Sequence, residues 1–133
     1  MLDVARSNPL MQPLLHSSNE SGVSRMKKYD VQFDVDAEED LFEIYKYVAL
    51  NDSVERADYL YRKLKHACYS LITLPLRGHT PPELQDIGVS QFREIRLKPY
   101  RIFYSIDRST VTVHCVLDGR RDMQTLLQER LLR

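Results

Sequence analysis

Seven basic side chains in the second half of the chain are the residues best suited to chemistry on an anion. They are Arg77, Arg93, Arg96, Lys98, Arg101, Arg120 and Arg121. Arginine suits phosphate because its planar guanidinium donates two parallel hydrogen bonds and stays charged. The last two belong to the stretch VLDGRRD, just past a strand-like segment. Such a pair can bind phosphate, pair with a partner's carboxylates or simply face solvent, and the set predicts contacts to a target or to nucleic acid.

Cutting a phosphodiester without a metal requires more than cations. One group must take the proton of the 2′-hydroxyl and another must protonate the leaving oxygen. The titratable candidates are Glu83, Glu94, His79 and His114, and their positions do not clearly converge. The plainer interpretation of Arg93 and Arg96 is that their charges protect an edge strand from pairing with other chains.

Metal and cofactor chemistry have little support. The four histidines are scattered, and neither Cys68 nor Cys115 has ligand-like spacing to them. The chain shows no glycine-rich phosphate loop and no nucleophile elbow, so we expect no metal and no cofactor. Two thiols at core-like positions and no secretory signal predict a reduced, cytoplasmic protein. No apolar run approaches 18 residues, so no membrane contact is expected.

The formal charge is zero, but it is unevenly distributed. Residues 26–62 hold five Lys or Arg against ten acids, whereas residues 90–133 hold nine against five. An acidic first half and a basic second half favour an anionic partner for the latter, although solvated faces can also sort this way.

The amino-terminal part of the chain predicts an extension followed by a strand and two helices. Residues 1–25 lack periodicity and are rich in Ser, Asn and Pro, which is typical of a flexible extension. Alternation over 29–35 predicts a strand, and Asp36 then predicts a helix cap with Glu39 as its capping-box partner. Two apolar stripes at helical spacing, separated by the NDS turn at 51–53, predict a helical hairpin.

The remainder predicts a loop over 75–90, three strands and a final helix capped by Asp122. Alternation in the last strand places Val111, Val113, Cys115 and Leu117 on one face. The fold class is therefore α+β, with a helical hairpin on one face of a four-stranded antiparallel sheet in the order β-α-α-β-β-β-α. The opposite face is left open for Arg101 and its neighbours, within one domain spanning 26–133.

Several blocks of the sequence resemble the RelE/ParE family of bacterial toxins from type II toxin–antitoxin systems. They are YDVQFDVDAEEDLFEIYKYVALND, ADYLYRKLKHACYSLITLPLRG, FREIRLKPYRIFYSID and VTVHCVLDGRRDMQTLL. Together they span about residues 27–132, and the P-x-R-G, YRIFY and GRRD elements are the most characteristic. The resemblance implies the same α+β fold and a cognate antitoxin. It also implies one of two targets, the ribosome with its messenger RNA in RelE-like members or DNA gyrase in ParE-like members.

The resemblance also assigns individual positions. Arg101 and Arg121 match the two arginines of RelE-like nucleases, and these two would be catalytic in a ribonuclease. Glu94 stands where one of a basic pair is expected, with Arg96 as the other. Leu127 stands where the nuclease has its catalytic tyrosine.

These departures favour the ParE-like branch, whose members inhibit gyrase by binding, block replication and arrest growth in plasmid-stabilisation systems. Two alternatives remain open: a metal-independent, ribosome-dependent endoribonuclease, and a degenerate module that only binds its antitoxin.

Overall fold

The computed structural model describes residues 27–133, so the predicted flexible extension over 1–25 lies outside the described residues. The elements follow the predicted order, with one additional helical turn in the loop. They are β1 (Asp30–Phe33), α1 (Val35–Asn51), α2 (Val54–Tyr69), α3 (Pro82–Gln85), β2 (Phe92–Leu97), β3 (Tyr100–Asp107), β4 (Thr110–Asp118) and α4 (Met123–Leu131). None of the helices in this part of the chain is both long enough and apolar enough to cross a bilayer.

The first helix begins two residues earlier than the sequence predicts. Asp34, not Asp36, is the N-cap, and its carboxylate accepts from the backbone N–H of Val35 at 2.9 Å. The backbone N–H of Asp34 itself donates to Val113 O at 2.9 Å, which is the last link of β1 to the sheet. The capping box of Asp36 and Glu39 was therefore wrong, because the strand ends before Val35 and the helix takes the first aspartate available. The predicted cap Asp122 is confirmed, and the predicted NDS turn supplies Ser53 as the N-cap of α2.

The sheet is mixed, so the prediction of a fully antiparallel sheet was wrong. Its strand order is β1-β4-β3-β2, and β1 runs parallel to β4. The reason is the helical hairpin, whose second helix returns the chain to the start of β1, where Tyr29 N donates to Ile72 O at 2.9 Å. Strand β2 therefore sets out in the direction of β1, and two hairpin connections later β4 runs in that direction again.

A bulge in β4 changes which side chains share a face. Phe103 pairs with Cys115 and Tyr104 with Val113, so His114 is an extra residue on β4. As a result Val111 and Val113 pack under the helical hairpin, whereas Cys115 and Leu117 belong to a second core. The prediction of a single face for all four was wrong, since period-2 alternation carries no sign of a bulge.

Both faces of the sheet are covered, so the predicted open face was also wrong. One face packs against α1 and α2 through Leu41, Leu64 and Cys68. The opposite face packs against α3 and α4 through Leu84, Met123 and Leu127. The carboxylate of Asp40 ties the layers together, because it accepts from Val116 N at 2.9 Å and from Arg130 at 2.8 Å. Strand β1 ends opposite Val113, so Asp40 supplies the partner that the β4 backbone lacks beyond that point.

Candidate functional site

Four charged side chains meet at the edge of the second face, and we call them the Arg101 cluster: Glu83, Glu94, Arg96 and Arg101. Arg101 is only 6 % exposed and Glu94 is fully buried. The Arg101 guanidinium donates to both oxygens of Glu94, at 2.7 and 2.8 Å, and to both oxygens of Glu83, at 2.8 and 2.9 Å. All three guanidinium nitrogens of Arg101 are thus committed to two carboxylates.

The elements around the cluster explain why these side chains meet. Arg96 on β2 lies directly opposite Arg101 on β3, and Glu94 lies opposite Phe103. These positions share the second face because side chains two apart on a strand point the same way. The helical turn α3, which begins at Pro82, brings Glu83 over this edge. Arg96 adds two hydrogen bonds to Glu94, at 3.1 and 3.2 Å.

The pKa values of the two carboxylates follow from these contacts. For Glu94, burial alone would raise the pKa, but hydrogen bonds from Arg101 and Arg96 outweigh burial and hold the pKa below its usual value. For Glu83, the hydrogen bond from Arg101 is the main cause of a lowered pKa. Carboxylates of lowered pKa are poor proton acceptors near neutral pH, so neither of them suits the role of general base.

Acid should destabilise the fold through these two groups. Below about pH 4.5, the usual pKa of a glutamate, the unfolded chain takes up protons on Glu83 and Glu94 before the folded chain does. The free energy of unfolding is therefore expected to fall from that pH downward. Asp40 acts in the opposite sense, because burial raises its pKa. Urea denaturation between pH 3 and 7 would measure the slope, and a Glu94→Gln variant should show a shallower one; an equal slope in both would contradict the assignment.

The two histidine candidates are in different places. His79 lies beside Glu94, with Nε2 3.3 Å from Oε2, and the two residues also exchange backbone hydrogen bonds at 2.8 and 3.0 Å. His114 lies in the β4 bulge, with Nε2 2.7 Å from Ser105 Oγ and its ring against Phe92. Burial lowers the pKa of His114, although Asp34 opposes the shift, and this favours the neutral imidazole. Arg101 pairs with Leu117 on β4, and His114 lies three residues before Leu117. His114 is therefore about 10 Å along the strand from the Arg101 cluster.

The other predicted contact residues make local contacts of their own, outside the Arg101 cluster. Arg93 donates to the carbonyls of Leu76 and Gly78, at 3.1 and 2.6 Å, and so closes the loop before α3. The other basic residues lie as follows: Arg77 donates to Ser70 Oγ, Arg120 pairs with Asp118, and Lys98 and Arg121 are exposed with no ion-pair partner among residues 27–133.

Leu127 lies in the second core and is fully buried. The position that the resemblance assigns to a catalytic tyrosine is therefore occupied by a packing residue of α4. The arrangement around Arg101 can hold the edge of the sheet together, but it supplies neither a free cation nor a titratable hydroxyl.

Sequence reasoning missed a cleft at the tip of the helical hairpin. This hairpin-tip cleft has a volume of about 560 Å³ and lies between the hairpin and the β2–β3 turn. Tyr47 and Tyr59 line it, and both lie off the apolar stripes of their helices. An aromatic residue on the polar side of an amphipathic helix was the available signal.

Comparison with known proteins agrees with this architecture. The sequence-family model of the ParE toxin of the type II toxin–antitoxin system parDE matches residues 31–123. No curated protein sequence matches the chain. Among solved structures, the chromosomal ParDE system of P. aeruginosa is similar at 15% identity and a TM-score of 0.58, over 68% of this chain and 95% of that one.

Two further structures share the fold. The E. coli toxin RelE, solved as a double arginine-to-alanine mutant in the free state, is 17% identical with a TM-score of 0.54, over 80% of this chain and 97% of that one. The toxin–antitoxin complex RelBE2 of Mycobacterium tuberculosis is 24% identical with a TM-score of 0.50, over 70% of this chain and 93% of that one. On the family match, supported by the shared fold, the chain belongs to the ParE toxin family of type II toxin–antitoxin systems.

Proposed function

We propose that this type II toxin acts by binding DNA gyrase and holding it in its DNA-cleaved state, which blocks replication. The observation that carries the proposal is the state of Arg101, which is buried and paired with two carboxylates. The match to the ParE model, with its coverage of most of the fold, supports the same conclusion.

A ribonuclease would need several groups that the described residues use for other purposes. The guanidinium of Arg101 is engaged on all three nitrogens, and the carboxylates that engage it have lowered pKa values. Leu127 is core. Each missing catalytic group costs a nuclease roughly 10²-fold or more in rate. A toxin that works by binding needs none of these groups, only an exposed contact surface such as the one around Arg121.

We further propose that a cognate antitoxin covers the outer face of the helical hairpin. Large apolar side chains are exposed there, with Val35 66 %, Phe42 49 % and Leu50 80 % accessible. An unpartnered apolar face of this kind is typical of a protein-binding surface. The P. aeruginosa and M. tuberculosis structures are both described as toxin–antitoxin assemblies.

The gyrase proposal predicts a direct effect on purified enzyme. Micromolar toxin should abolish negative supercoiling of relaxed plasmid and cause linear, gyrase-cleaved DNA to accumulate. Replacing both exposed arginines, Arg120→Glu with Arg121→Glu, should weaken this effect about tenfold or more, because it reverses charge at a surface that faces an anionic target. Gel electrophoresis of the plasmid products measures both outcomes.

The matched control is Arg108→Glu, because Arg108 is an exposed arginine in the β3–β4 turn at the other end of the sheet. It should leave the gyrase effect unchanged. Absence of any effect of the wild-type toxin on gyrase would refute the proposal. If induction in cells instead gave truncated messenger RNA while supercoiling stayed normal, the endoribonuclease alternative would replace it.

A further inference from the structure

The hairpin-tip cleft presents two aromatic rings that the core does not use, those of Tyr47 and Tyr59. Tyr47 on α1 is 67 % exposed and Tyr59 on α2 is 53 % exposed, and the partly buried Tyr100 of β3 adds a third ring to the lining. The nearby Tyr45 and Tyr61 differ, because their rings pack edge to face on each other with centres 6.2 Å apart and belong to the core. The rings of Tyr47 and Tyr59 are therefore exposed for stacking against a ligand, whereas Tyr100 also packs against the core.

Cations alternate with these rings. Lys63 Nζ lies 5.6 Å from the centre of the Tyr59 ring, and Lys98 is exposed in the β2–β3 turn. Arg56 also lines the cleft, and its Nε is 3.5 Å from Asp52. Among the described residues that line the cleft, three cations stand against one acid, which Arg56 already pairs, so the charge left over is positive.

From these observations we propose that the hairpin-tip cleft binds single-stranded nucleic acid. One or two bases stack on Tyr47 and Tyr59, and the flanking phosphates bind Lys63 and Lys98. Aromatic rings interleaved with cations are the combination that single-strand binders use, because every base offers a π face and every nucleotide a charge. A cleft of about 560 Å³ is within the size range of small-ligand sites.

The inference goes beyond the proposed inhibition of gyrase and does not depend on it. An acidic peptide would satisfy the same lysines, but it has no reason to need both rings. A nucleic-acid strand and an acidic peptide therefore differ in how their binding responds to loss of the rings. Oligo(dT) and oligo(U) share a stacking base and a phosphate backbone and differ in the 2′-hydroxyl and the thymine methyl group.

The test is fluorescence anisotropy with the full chain and labelled 12-nucleotide strands, oligo(dT) and oligo(U), alongside a 12-base-pair DNA duplex. We expect single strands to bind at least tenfold more tightly than the duplex. Tyr59→Ala and Tyr47→Ala should each weaken binding about tenfold, since stacking is lost. Tyr59→Phe should bind like the wild type, because the ring remains. Lys98→Gln should lower the magnitude of the salt slope by about 0.7.

Arg108→Gln, which removes an exposed charge far from the cleft, is the matched control and should leave the salt slope unchanged. Comparison of oligo(dT) with oligo(U) decides which strand is preferred. Equal binding by the Tyr59→Ala and wild-type proteins, or displacement of the strand by an acidic 12-residue peptide at lower concentration than by unlabelled strand, would overturn the proposal. The binding experiment contains no gyrase, so a negative result would overturn this proposal without affecting the proposed inhibition of gyrase.

Discussion

Replacing Arg101 with methionine is expected to lower the free energy of unfolding by about 3–5 kcal/mol. The side chain is buried and donates four hydrogen bonds to Glu83 and Glu94. Without it, the fully buried carboxylate of Glu94 retains only Arg96 and His79 Nε2 as side-chain partners among the described residues, and a buried charge that loses its two shortest hydrogen bonds is costly. Urea denaturation followed by circular dichroism measures the loss.

The matched control is Arg121→Met, at an exposed arginine with no ion-pair partner among the described residues, which should change stability by less than about 0.5 kcal/mol. A second variant tests the mechanism. Combining Arg101→Met with Glu94→Gln also removes the buried charge of Glu94 and should recover part of the lost stability. Replacing both partners of a buried ion pair often changes the free energy of unfolding little. If Arg101→Met were as stable as the wild type but inactive as a toxin, Arg101 would be a functional residue after all.

The change Gly78→Ala should be similarly damaging, with an expected loss of about 3 kcal/mol or more. A Cβ at this position would overlap the carbonyl oxygen of Glu94 and the hydroxyl of Tyr104. Neither can move easily. Tyr104 is fully buried and its hydroxyl donates to Pro75 O at 2.7 Å while accepting from Gly78 N at 3.1 Å. The P-x-R-G element is thus the place where the loop before α3 closes onto β2 and β3.

Gly88→Ala is the matched control for this prediction. Gly88 has a positive φ of 77°, but a Cβ added there would meet no other atom within 4 Å, so alanine costs only the backbone strain, about 1–2 kcal/mol. Urea titration of the two variants should therefore give a clearly lower midpoint for Gly78→Ala. Equal midpoints would show that the loop yields and that close contact at Gly78 does not matter.

Local patterns along the chain were sufficient to predict every helix and strand except α3. The apolar stripes, the NDS turn and Asp122 located the helices and two of their caps, because these depend on residues within a few positions of one another. The cap at Asp34 was missed for a non-local reason: where β1 ends depends on its partner Val113, which lies far along the chain.

The candidate site shows the same division. The placement of Arg101 on the sheet face opposite the helical hairpin was predicted, and Leu127 was recognisable as a departure from the nuclease pattern. Sequence alone did not reveal that α3 and α4 would cover that side, nor that Glu83 would reach Arg101 from a loop.

The sequence by itself determined the α+β class, the order of the elements and the membership in a toxin family, because periodicity, caps and motif spacing are encoded locally. Tertiary structure alone decided the parallel pairing of β1, the bulge at His114 and the burial of Arg101 between two carboxylates. The physical reason is that pairing partners and the desolvation of a charge depend on which distant segments come together. An arginine that the sequence leaves free for phosphate can therefore be neutralised within the fold.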